Sequence, residues 1–121
     1  MPRTVLIVED YEDTRLCMKF ILESYGYEVA EAADGLEAIK SIKHHFPDLI
    51  LMDMSMPVMD GITATEIIRN SVAISRMPIV AVTAHCNFIR KEAIKAGCNE
   101  VIGKPLDFDS FELILNQYLA H

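Results

Sequence analysis

Apolar positions along the chain fall into two alternating rhythms. Val5-Leu6-Ile7-Val8, Leu49-Ile50-Leu51-Met52 and Ile79-Val80-Ala81-Val82 are short, unbroken apolar runs. Runs of this length, rich in branched residues and bounded by polar positions, predict strands covered on both faces. Glu28-Val29-Ala30-Glu31-Ala32 instead alternates polar and apolar residues, the pattern of a strand with one solvated face. Glu100-Val101-Ile102 predicts a shorter strand. Between these lie helical stretches at Asp13 to Tyr25, Leu36 to His45, Ile62 to Asn70, Asn87 to Ala96 and Phe108 to Leu119. Gly26, Pro47 and Gly97 follow three of them as stops, and Asp34-Gly35 and Asp60-Gly61 precede two. In the last, Phe111, Ile114, Leu115 and Tyr118 repeat at i, i+3, i+4 and i+7, one apolar stripe.

Strict alternation of strand and helix predicts an α/β fold, a (βα)5 doubly wound parallel sheet in a single domain over residues 1–121. The continuously apolar strands belong in the centre, and the alternating and short ones at the edges. Strand order 2-1-3-4-5 satisfies this. In such sheets the working crevice lies beyond the carboxyl ends of the strands.

Composition narrows the function. At 121 residues the chain has room for one core and no second domain. Its apolar runs fall far short of the roughly 18 residues that span a bilayer. The start, Met1-Pro2-Arg3-Thr4, lacks the apolar region of a signal peptide, so a cytoplasmic protein is expected, with no membrane partner. A formal charge of −7 argues against direct nucleic-acid binding, which needs a basic face. Cys17, Cys86 and Cys98 are odd in number and unpaired by motif, which predicts reduced thiols and no zinc site.

The chemistry sits at the predicted strand ends. The first strand closes on Glu9-Asp10, the third on Asp53 and the fourth on Thr83, and Lys104 follows the fifth. With neighbouring strands about 4.8 Å apart, the three carboxylates converge. Such a cluster must take up protons or hold a cation, and hard oxygen donors suit Mg²⁺ or Mn²⁺. An ionised carboxylate is a usable nucleophile at neutral pH. A metal, a lysine and a hydroxyl beside it form a layout for moving a phosphoryl group onto the carboxylate. Each residue also has a plainer reading: a loop cap for Asp53, a solvated acidic turn for Glu9-Asp10, an ordinary strand-end hydroxyl for Thr83, a surface lysine for Lys104.

Several segments together resemble the receiver domain of bacterial two-component response regulators, the chemotaxis-regulator-like fold. They are Val5 to Asp10, Pro47 to Pro57, Met59-Asp60-Gly61, Pro78 to Ala84, Ala96 to Asn99 and Lys104-Pro105. The resemblance runs essentially end to end. It implies a phosphorelay switch, flavodoxin-like in fold, that catalyses only its own aspartyl phosphorylation and dephosphorylation. Asp53 is then similar to the phospho-acceptor. Asp10 is similar to the direct Mg²⁺ ligand, Glu9 to its water-mediated neighbour, and the Ser55 backbone carbonyl to a further ligand. Thr83 resembles the switch hydroxyl and Lys104 the lysine that pairs with the phosphoryl group. The Lys104–Pro105 bond is expected to be cis. The implied partners are a sensor histidine kinase or histidine phosphotransfer protein and a downstream protein target. No output domain follows Leu119, so either a stand-alone regulator that signals through protein contact or a domain cut from a longer chain is expected.

Two positions depart from the usual pattern. Glu9 stands where many members carry Asp. Val101 stands where many carry Tyr or Phe, so the aromatic half of the family's switch is missing, which leaves output to Thr83 and the loop from Ala84 to Phe88. His85, two residues past Thr83, is a candidate for tuning how fast water removes the phosphoryl group. The alternative function is a receiver-like module that docks proteins without phosphorylation. A flavin- or nucleotide-binding protein fits poorly, because Glu9, Asp10, Glu12 and Asp13 put carboxylates where a phosphate would sit.

Overall fold

The computed structural model describes residues 3–119, the side chains of Cys86 and Phe108 excepted. Strands β1 (Thr4–Val8), β2 (Glu28–Ala32), β3 (Leu49–Asp53), β4 (Ile79–Thr83) and β5 (Glu100–Gly103) alternate with helices α1 (Glu12–Ser24), α2 (Gly35–His44), α3 (Gly61–Arg69), α4 (Cys86–Ala96) and α5 (Phe108–Leu119). All pairings are parallel, in the order β2-β1-β3-β4-β5. The sheet order expected from strand hydropathy is therefore the one formed.

The continuous runs divide between two cores by the period of two. Val5, Ile7, Leu49, Leu51, Val80 and Val82 face α1 and α5, where Met18, Leu22, Phe111, Leu115 and Leu119 meet them. Leu6, Val8, Ile50, Met52, Ile79 and Ala81 face the other layer, with Ile39 and Ile42 of α2, Ala64 and Ile68 of α3 and Ala93 of α4. β1, β3 and β4 are thus buried on both faces, and β2, at one edge, is mostly half-exposed.

Helix ends follow local chemistry. Asp34 and Asp60 cap α2 and α3 by accepting from the backbone N–H of Glu37 and Thr63, each at 2.8 Å. Capping therefore starts both helices one residue before their apolar pattern does. Gly26 and Gly97, at φ 91° and 123°, take the left-handed turns that end α1 and α4. A 3-10 turn at Val72–Ile74 lies in a stretch whose hydropathy gave no periodic signal.

Candidate functional site

Three strands deliver the acids. β1 runs straight into Glu9, whose backbone N–H continues the ladder to the Ala32 carbonyl at 3.0 Å. Asp53 is the last residue of β3 and pairs with Val82. Carboxylate oxygens of Glu9, Asp10 and Asp53 all lie within 4.8 Å of one another. Their environments differ: Glu9 and Asp53 are 2% and 6% exposed, whereas Asp10 stands in solvent.

The rim closes from the other side. Thr83 ends β4, and its carbonyl accepts the Lys104 backbone N–H at 2.9 Å. Its Oγ1 accepts the His85 N–H at 3.1 Å, so one buried residue ties together the loops that follow β4 and β5. The Lys104–Pro105 bond is cis, as expected. Lys104 Nζ lies 2.5 Å from Glu9 Oε1 and 3.4 Å from Asp53 Oδ2. Burial favours loss of the ammonium proton, but the hydrogen bond to Glu9 and the charges of Asp53 and Glu9 outweigh it and hold its pKa above the ordinary lysine value.

The loop after β3 folds back on the acceptor candidate. Ser55 N–H donates to Asp53 Oδ1 at 3.2 Å. Gly61, at the start of α3, lets that helix abut the loop: a Cβ there would overlap the Asp53 carbonyl oxygen and Met54. Met52 and Met54 are buried and Met56 and Met59 pack partly against the same core, so the methionines around Asp53 are filling atoms.

All the acids, the lysine and the threonine singled out in the sequence thus meet at one end of the sheet. His85 is exposed at the N-terminus of α4. Val101, opposite Ala81, is buried in the core and is no mobile aromatic. Two contributors escaped the sequence reading. Arg15 donates to the Glu9 carbonyl at 2.9 Å and to Glu31 at 3.2 Å, anchoring the turn that presents the acids. In the sequence Gly61 marks only the start of a helix. Its Asp60-Gly61 pair was visible, but its contact with Asp53 depends on packing.

The donor set suits a divalent cation. Three carboxylates, two buried and one exposed, face one ammonium, which leaves two formal negative charges, and oxygen donors of this kind match hard divalent ions.

A family model for the response regulator receiver domain matches residues 5–116. The chain belongs to that family. The receiver is 35% identical to the polar-differentiation response regulator DivK of Brucella anthropi, over 99% of this chain and 98% of that one. Among solved structures it is similar to the receiver domain of a sensor histidine kinase from Pseudomonas aeruginosa, with 34% identity, a TM-score of 0.92 and full coverage of both chains. That structure has a magnesium ion coordinated in its active-site cleft. The chemotaxis protein CheY4 of Vibrio cholerae matches at TM-score 0.90 and 28% identity, over 98% of this chain and 99% of that one. The receiver is accordingly a signalling switch of two-component phosphorelays. Among its described residues no helix is long and apolar enough to cross a membrane.

Proposed function

We propose that Asp53 accepts a phosphoryl group from a phosphohistidine on a sensor histidine kinase or histidine phosphotransfer protein. A carboxylate oxygen of Asp53 forms the new O–P bond as the N–P bond breaks, and the imidazole departs with the bonding pair. The observation that carries this reading is the placement of Asp53: nearly buried, at the carboxyl end of β3, with Lys104 Nζ 3.4 Å from Oδ2. Lys104 is the group that pairs with the incoming phosphoryl oxygens, and Thr83 offers its hydroxyl to another. Glu9, Asp10, Asp53 and the Ser55 carbonyl are the residues that hold the divalent cation, Mg²⁺ or alternatively Mn²⁺. When bound, it supplies positive charge against the phosphoryl oxygens.

Phosphorylation then shifts an inactive–active equilibrium through Thr83. Val101 has no ring to swing, so the signal passes to the loop from Ala84 to Phe88, where Phe88 is 86% exposed, and from there to a downstream protein target. His85, beside that path, tunes the attack of water on the phosphoaspartate. The receiver does this work in the cytoplasm, on residues 1–121 as one domain, and acts on no substrate but its own aspartate.

The test is incubation with Mg²⁺ and acetyl phosphate, read by intact mass. Wild type gains one phosphoryl group and Asp53→Asn gains none. An unmodified wild type, or equal modification of the Asn variant, overturns the assignment.

A further inference from the structure

Asp10 is the one exposed carboxylate of the cluster, and among the described residues its side chain has no hydrogen bond or ion pair to aim it. Its direction is therefore set by the backbone, through the Glu9–Asp10 peptide. Both main-chain polar groups of Glu9 are held. The N–H donates to the Ala32 carbonyl at 3.0 Å, and the carbonyl accepts from Arg15 Nη1 at 2.9 Å. That carbonyl belongs to the peptide whose nitrogen is Asp10's. A peptide group is planar, so fixing its oxygen fixes the bond that leads into Asp10. Helix α1 offers no substitute at this turn, because Tyr11 at its N-cap makes no side-chain capping bond.

Arg15 is itself oriented from the edge of the sheet. Helical side chains lean toward the N-terminus, so Arg15, the fourth residue of α1, reaches back over the turn that precedes the helix. Its Nε donates to Glu31 Oε1 at 3.2 Å, and Lys19 Nζ, one turn further along, donates to Glu31 Oε2 at 3.2 Å. Glu31 stands beside Ile7 in the β1–β2 register, on the face that α1 covers. The guanidinium is a rigid plane, so holding Nε on Glu31 decides where Nη1 points. The Arg15 side chain is 19% exposed, which limits competition from water for both bonds.

We propose that Arg15 is a positioning residue of the cation site: by tying the Glu9 carbonyl to Glu31 it sets the direction from which Asp10 meets a divalent cation. Glu31 is then an outer acid of the site, acting on the cation from β2 without touching it. The charge of Arg15 works the other way. A guanidinium near a divalent cation repels it, so charge alone predicts that removing Arg15 tightens binding, whereas loss of positioning loosens it. Lys19 is the matched control. It brings the same charge to the same carboxylate, but among the described residues its ammonium bonds Glu31 and not Glu9. The inference rests on the cation role of Asp10 given above and extends it to residues outside the pocket.

Calorimetry of MgCl₂ binding to wild type, Arg15→Met and Lys19→Met tests it, with folding checked by circular dichroism. Arg15→Met is expected to weaken Mg²⁺ about tenfold or more, the scale for an outer residue that orients a ligand. Lys19→Met is expected to leave Mg²⁺ affinity unchanged or slightly tighter. If Arg15→Met binds Mg²⁺ as well as Lys19→Met does, loss of charge accounts for both and the proposal is overturned. Labelling by acetyl phosphate separates positioning from a general defect. In Arg15→Met the Mg²⁺ concentration for half-maximal rate should rise, with the rate at saturating Mg²⁺ within about twofold of wild type. A lower saturated rate at an unchanged half-saturation point counts against positioning. Wild type supplies a measurement that needs no variant. By NMR the Arg15 Nε–H should exchange slowly with water both in EDTA and in saturating MgCl₂, and fast exchange in the magnesium form refutes the tie. If Mg²⁺ produces neither heat nor shifts in wild type, the cation reading itself fails, and this inference with it.

Discussion

Replacing Asp53 with Asn removes one charge from the acidic cluster and keeps its shape. Asp53 lies within 4.8 Å of both Glu9 and Asp10, and its Oδ2 is 3.4 Å from Lys104 Nζ. At an effective dielectric near 20, each like-charged pair costs about 3.5 kcal/mol, and the attraction to lysine returns about 5 kcal/mol. On this arithmetic the Asp53 carboxylate is held against a net repulsion of about 2 kcal/mol. The amide keeps the acceptor for Ser55 N–H and sheds that repulsion. In EDTA the variant is expected to be more stable than wild type by about 1–2 kcal/mol, after allowance for solvent at the exposed Asp10. Urea unfolding followed by circular dichroism measures it as a higher midpoint at an unchanged slope. Saturating Mg²⁺ narrows or inverts the difference, because the wild-type carboxylate gains a partner that the amide lacks. An Asn variant that is less stable than wild type in EDTA refutes the electrostatic account of the pocket.

Three further predictions concern the scaffold. Gly61→Ala is expected to destabilise by about 1–3 kcal/mol through overlap with the Asp53 carbonyl, against under 1 kcal/mol gained from helix propensity, and to slow phosphorylation. An Ala variant that unfolds later in urea and labels normally contradicts this. Arg69 donates to the carbonyls of Gly97, Ser75 and Met77 and to Asn99 Oδ1, and so joins α3 to the ends of the 3-10 turn and α4. Arg69→Met should cost about 2–4 kcal/mol by leaving those acceptors unmatched, a loss that thermal unfolding would register and whose absence would make the network incidental. Burial and the hydrogen bond to Glu100 raise the Tyr118 hydroxyl to about 12. The folded state thus keeps a proton that the unfolded chain loses near pH 10, so this stabilisation is whole below pH 10 and disappears between about 10 and 12. Tyrosinate absorbance should show one late-titrating ring, absent from Tyr118→Phe, whose stability should fall less steeply over that interval.

The hydropathy pattern carried most of the fold because burial on two faces leaves a direct mark. Val5 to Val8 and Ile79 to Val82 have no polar position to offer water, and both lie inside the sheet. The alternation in Glu28 to Ala32 likewise placed that strand at an edge. Cap chemistry moved helix starts by one residue, because Asp34 and Asp60 act through a hydrogen bond and not through an apolar face. The turn at Val72–Ile74 left no trace, since three residues are too few to show a period.

At the site, residue types and strand ends were readable in one dimension. Glu9, Asp10, Asp53, Thr83 and Lys104 each follow or close a strand, and a parallel sheet necessarily gathers such positions at one edge. Which acid the lysine meets was not readable. That choice depends on sheet twist, on the span across two intervening strands and on the length of a glutamate, all set only when β1 and β5 take their places in the sheet. The Arg69 network and the approach of Gly61 to Asp53 belong to the same class. Local sequence determines which chemistry reaches the rim, because periodicity and chain direction are local properties. Tertiary structure decides which groups pair there, because side-chain reach across a sheet is not.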